Sequence, residues 1–206
     1  MRVDVLVVTD HDTIRGSQEA ARIAEGNPRF VIQAGEYKTE KGDIIGLFLK
    51  EEIATRKSDE VMKEIHGQGG LVVLPHPYKG QRLDDELLEH VDLIETHNAR
   101  CSAVQNYSAH DLACKLKKPQ IAGSDAHCAG EIAASLNKFQ IDSAVNESNL
   151  AHVLLTASQR AITSPTSRIY QPCSQMIKAF KTRNPILFAY QLKCLLAVCS
   201  EELLSS

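Results

Sequence analysis

Short β-branched runs alternate with helix-patterned segments from residue 3 to about residue 163, and this alternation limits the chain more than any single motif. VDVLVV (3–8), RFVIQA (29–34), DIIGLFL (43–49), LVVLP (71–75), VDLIET (91–96), PQIAG (119–123), KFQI (138–141) and RAIT (160–163) read as strands. Between them SQEAARIAEG, the stretch from Ser58 through Asp59 and Glu60, DDELLEH, SAVQNYSAHDLACKLKK and ESNLAHVLLTASQ carry helical periodicity with plausible caps. Such alternation predicts an α/β architecture on a parallel sheet, open or closed into a barrel. VDVLVV alternates little between apolar and polar positions, so it is expected to be buried on both faces.

After SPTS (164–167) the pattern changes. CSQMIKAFKTRNPILFAYQLKCLLAVCSEELL reads as two helices broken near Asn184 and Pro185, which sets a C-terminal helical extension (166–206) beside a domain spanning 1–165. Its most apolar part, PILFAYQLKCLLAVC, is short for a membrane span and is interrupted by Gln191 and Lys193. The N-terminus shows no small-residue cleavage site. With 206 residues, 43% hydrophobic, the chain has material for one ordinary core. A net charge of −3, mixed along its length, argues against wrapping nucleic acid by bulk charge. Six cysteines with no CxxC pair read as reduced thiols, and the expectation is a soluble cytoplasmic protein.

Five strands deliver a histidine or acid just past, or close to, their C-terminal end. These are Asp10-His11-Asp12, Glu36, His76, His97, and Asp125 with His127. In parallel α/β sheets that edge is where ligands bind, so parallel strands would bring these groups to one mouth. One histidine after a strand is most often a capping residue, but five such ends are hard to obtain by chance. Imidazoles mixed with carboxylates suit Zn²⁺, Mn²⁺ or Fe²⁺. His66, His90, His110 and His152 fall in or at the ends of helical segments and read as surface or structural residues. Ser124 near Asp125 and His127 lacks the elbow of a serine nucleophile.

TDHDT (9–13), GEY (35–37), LPHP (74–77), IETHNAR (94–100) and AGSDAH (122–127), in that order, resemble the PHP (polymerase and histidinol phosphatase) family over about residues 1–165. The chain is similar to its stand-alone metal-dependent phosphoesterases rather than to the polymerase-associated domains. The resemblance implies a distorted (β/α)7 barrel with two or three divalent ions (Zn, Mn or Fe). It implies His11, Glu36, His76, Asp125 and His127 as metal ligands, with Glu36 bridging two ions. His97 would be a ligand or proton donor, and Asp10 would orient His11 from behind. The implied activity is hydrolysis of a phosphomonoester, nucleotide or short oligonucleotide by metal-activated hydroxide. Lys79 and Arg100, with Arg15 a third choice, are expected to grip phosphate oxygens.

One departure stands out. Family members begin with a strand ending in His-x-His, which is absent here, so the barrel is expected to lack its first βα unit and to hold fewer ions. A start downstream of that motif is favoured over degeneration. The rival expectations are a metal-binding relic without catalysis and a metal-dependent amidohydrolase. The expected partner is a small phosphorylated substrate or short oligonucleotide, without a membrane; an unpaired barrel edge and apolar tail are compatible with a homo-oligomer.

Overall fold

The computed structural model describes residues 3–27, 30–142, 144–164 and 166–204, with side chains as far as residue 200. Arg29, at the start of RFVIQA, and the expected domain boundary at Pro165 lie outside the described residues. Six strands form one sheet in the order of the sequence: β1 (Val5–Val8), β2 (Phe30–Thr39), β3 (Gly42–Leu47), β4 (Leu71–Leu74), β5 (Leu93–Asn98) and β6 (Gln120–Gly123). β1 with β2, β4 with β5, and β5 with β6 pair parallel, whereas β3 runs antiparallel to both neighbours. The fully parallel sheet is therefore corrected at one strand. Only Glu40 and Lys41 separate β2 from β3, and a parallel crossover needs a dozen residues or more. Gly42, at φ 122°, takes a turn conformation that a side chain disfavours. The result is an α/β fold with a curled, mostly parallel half-barrel.

Helices α1 (Arg15–Ile23), α2 (Ser58–Gly67), α3 (Asp85–His90) and α4 (Ala103–Leu116) follow or precede these strands as the periodicity predicts. All four residues of β4 are buried, so its alternating side chains feed two cores. Val72 and Leu74 join Tyr37, Ile44, Val61, Met62, Ile65 and Leu87 under α2 and α3. On the other face Val73 packs with Ile32, Ala34, Leu47, Leu93 and Leu150 of α5 (Leu150–Thr156). Each fully buried aliphatic side chain stabilises by about 1.5–3 kcal/mol.

β1 departs from expectation. It is an edge strand, and Leu6 and Val7 are 40% and 41% exposed, because among the described residues β2 alone pairs with it. At the other edge β7 (Ser135–Phe139) and β8 (Gln159–Thr163) form a separate antiparallel pair. Asn137 of β7 imitates a strand partner there: its Oδ1 accepts from Ala122 N and its Nδ2 donates to Ala122 O, both at 2.7 Å.

The tail forms α6 (Tyr170–Lys181) and α7 (Pro185–Leu204), which pack on each other. Their break falls where the Asn-Pro pair predicts, with Asn184 Oδ1 accepting from Leu187 N and proline opening the next helix. Among the described residues no helix is long and apolar enough to cross a membrane.

Candidate metal centre

The chain beyond β1 stays alongside β2. Glu36 N donates to Asp10 O at 3.0 Å, Asp12 N donates to Glu36 O at 2.7 Å, and His11 sits beside Glu36 in a parallel bridge. Their side chains meet, with His11 Nδ1 3.7 Å from Glu36 Oε2. Ser17 of α1 locks the helix to the same strand: Ala34 N donates to its Oγ at 3.0 Å, and its hydroxyl lies 2.8 Å from Ile14 O.

The β2–β3 register then supplies a second acid. Glu36 faces Ile45 and Lys38 faces Asp43, so Glu36 and Asp43 lie diagonally on one face of the hairpin. His11, Glu36 and Asp43 each offer a ligand atom, all within 4.8 Å of one another. His76, at the end of β4, brings Nε2 to 3.4 Å from Glu36 Oε1 and 3.9 Å from Asp43 Oδ2. Its backbone is left-handed, at φ 30°, and its buried Nδ1 has no hydrogen-bond partner.

From β6 come Asp125 and His127. Asp125 is also left-handed, at φ 48°. Its Oδ2 receives Lys79 Nζ and Asn98 Nδ2, each at 3.3 Å. The His127 ring centre lies 6.4 Å from that of His11. The structure thus brings His11, Glu36, His76, Asp125 and His127 to one mouth, with Lys79 at its rim.

Three expected residues face elsewhere. Arg100 is not free to grip a phosphate: its Nε and Nη2 donate to Glu131 at 2.7 and 3.1 Å, and Nη2 also donates to Ser174 Oγ of α6 at 2.8 Å. Asp10 turns its carboxylate against the start of α1, where a Cβ on Gly16 would lie 2.0 Å from Oδ2. His97 follows a bulge in β5, and bulges redirect side chains. It lines a cavity of about 1000 Å³ that also touches Gln105, Thr163, Gln171, Tyr190 and Cys194. Arg15 is exposed at the head of α1.

Two acids went unnoticed in the sequence. Asp43 stands at the beginning of a strand, but β3 is reversed, so its beginning shares an edge with the ends of its parallel neighbours. Glu95 reads as the body of a strand; it is buried, and its Oε2 accepts from His76 N at 2.8 Å and from Asn98 Nδ2 at 3.0 Å.

The field follows from this crowding. Burial, then the neighbouring Glu36, pushes the Asp43 carboxyl up. Burial alone pulls His76 down, but Glu36, Glu95 and Asp125 outweigh it and raise the imidazole. Burial pushes Glu95 up to about 7. Burial also pushes Glu131 up, but Arg100 and the N–H groups of His127 and Cys128 outweigh it and hold that carboxyl low. Two carboxylates facing each other among imidazoles, with an orphaned nitrogen on His76, form a donor set that fits a divalent cation.

Residues 104–154 match a family model described as PHP-associated. Two proteins of Methanocaldococcus jannaschii are similar: uncharacterized protein MJ1587, 36% identical over 103 residues, and uncharacterized protein MJ0417, 34% identical over 122 residues. These alignments cover 47% and 53% of this chain, and the chain spans only 60% and 52% of the two relatives. Among solved structures, PsfC from Pseudomonas syringae aligns over 95% of this chain and 84% of its own, with a TM-score of 0.59 and 16% identity. A candidate metal-dependent phosphoesterase from Bifidobacterium adolescentis aligns over 74% of this chain and 85% of its own, with a TM-score of 0.51 and 13% identity. At these identities the two structures speak for the fold. The PHP-associated match at 104–154 follows the TDHDT and LPHP strand ends in the sequence, and over that segment the chain is similar to PHP-associated proteins.

Proposed function

We propose that the protein hydrolyses phosphate esters at this mouth, using divalent ions held by His11, Glu36, Asp43, His76, Asp125 and His127. The observation that carries the reading is Glu36, whose two oxygens face different imidazoles, His76 at 3.4 Å and His11 at 3.7 Å. Glu36 would there hold divalent ions together with His76 on one side and His11 on the other. Bound divalent ions supply positive charge against phosphoryl oxygens and acidify water near neutral pH.

The chain's own groups do the rest. Lys79 Nζ stands beside Asp125 at the rim, where a phosphate oxygen can take its proton as a hydrogen bond. Asp12 Oδ1 pairs with Arg56 Nε at 2.8 Å, which steadies the loop that presents His11. The mouth is lined by carboxylates and imidazoles with Lys79 at its rim, and it suits a small phosphate ester held through bound ions better than a long nucleic acid tracked by a basic groove. The same reading takes the half-barrel as part of a distorted (β/α)7 barrel.

The test is hydrolysis of p-nitrophenyl phosphate with added Mn²⁺ or Zn²⁺. Wild-type protein is expected to turn over, and Glu36→Gln and His127→Ala are expected to fall to background. Equal rates in all three would refute the proposal. Turnover of N-acetyl amino acids without phosphatase activity would move the chemistry to carbonyl substrates.

A further inference from the structure

Two of the proposed ligands, His76 and Asp125, have left-handed backbones, at φ 30° and 48°. Side-chain-bearing residues adopt that region at a cost of roughly 1–2 kcal/mol, so something must hold them there. Both lead back to one carboxylate. Glu95 Oε2 accepts the His76 N–H at 2.8 Å, which fixes the turn that aims the imidazole at Glu36. The same oxygen accepts Asn98 Nδ2 at 3.0 Å, and that amide nitrogen lies 3.3 Å from Asp125 Oδ2. One side chain of β5 therefore ties down the ends of β4 and β6.

The surroundings are built to admit it. A Cβ on Gly123, two residues before Asp125, would lie 2.0 Å from Glu95 Oε1, so β6 leaves that volume to the carboxylate. The β5 ladder slips by one residue between Glu95 and His97, which lets Glu95 point to the mouth while His97 lines the neighbouring cavity. Glu95 itself is 6% exposed and makes no ion pair among the described residues, so its position is not explained by a surface role.

We propose that Glu95 is a positioning residue of the metal centre, acting through His76 and, by way of Asn98, through Asp125, and that Gly123 is its required complement. The inference rests on the metal reading above. Groups standing behind metal ligands typically change affinity by about 10–100-fold when altered.

The experiment titrates the full chain with Co²⁺ alone, reading affinity and the visible ligand-field spectrum, with circular dichroism as the check on folding. His11→Ala serves as the control: if it binds Co²⁺ as wild type does, the metal reading itself has failed. With that control weakened, Glu95→Gln is expected to bind Co²⁺ about 10–100-fold more weakly, with an altered spectrum and an unchanged fold. Gly123→Ala keeps the carboxylate but displaces it, and is expected to show the same loss. Wild-type affinity and spectrum in either folded variant would overturn the proposal. So would failure of both variants to fold, which would make the pair purely structural.

Discussion

Arg100 provides the sharpest separation between a residue that grips a ligand and one that holds the protein together. Replacing it with methionine removes two charge-assisted bonds to Glu131, at 2.7 and 3.1 Å, and a third bond to Ser174 of α6. The side chains of Arg100 and Glu131 are 7% and 3% exposed, so solvent does not replace the lost partner. Two charge-assisted hydrogen bonds at about 1.5–3 kcal/mol each suggest about 3–6 kcal/mol. Breaking one side of a buried ion pair gives a similar figure, about 3–5 kcal/mol. For a chain of this size each kcal/mol moves Tm by about 2–4 °C, so a loss of about 3–5 kcal/mol is expected to make Arg100→Met melt about 6–20 °C below wild type. Arg100→Met combined with Glu131→Gln should recover much of that loss, because the amide oxygen can still accept from His127 N and Cys128 N without a stranded charge. Thermal melts followed by circular dichroism read both variants. A Tm within about 2 °C of wild type, equivalent to about 0.5–1 kcal/mol, together with a raised KM for phosphate esters, would refute the structural reasoning and restore the gripping role.

The same pair predicts a pH dependence. The Glu131 carboxyl is held below its ordinary value of 4.5, so its contribution is present above that pH and is lost as pH falls through its folded value. The Tm gap between wild type and Arg100→Met should therefore narrow in acid, and a gap that widens would contradict the assignment. Ser17→Ala strands the buried Ala34 N–H and is expected to cost about 1–3 kcal/mol in a urea melt, with no loss meaning that the N–H finds another acceptor. Mn²⁺ at about 100 times its dissociation constant should stabilise the protein by about 2.7 kcal/mol over a chelated sample. Glu36→Gln should erase that difference, and an unchanged metal-induced shift in this variant would remove Glu36 from the site.

Much of this arrangement was legible because strand ends announce themselves. β-Branched runs followed by Asp10-His11, Pro75-His76 and Asp125-Ala126-His127 need only a parallel sheet to converge, and five of the six strands run parallel to one another. Asp43 was hidden by direction rather than chemistry. An acid opening a strand reads as a cap unless the strand is known to run backwards. A cation after a strand, such as Arg100, looks free in the sequence until Glu131, distant along the chain, is seen against it. The exposure of β1 was equally invisible, since edge and centre positions are decided by pairing and not by the apolar run itself. His97 and Thr96 turn on a one-residue slip that no periodicity encodes.

The reversed strand has a bearing on how the site comes into being. Glu36 and Asp43 belong to one hairpin closed by two residues, whereas every histidine in the cluster arrives from another element. Short loops close with little entropic penalty, and hairpins form in about 1–10 μs. The mutual repulsion of the two acids is thus written into the quickest-forming portion of the sheet, ahead of the imidazoles that will flank it. Divalent cations present during refolding should accelerate the step that forms this hairpin, making the ion a participant in assembly as well as in the finished protein.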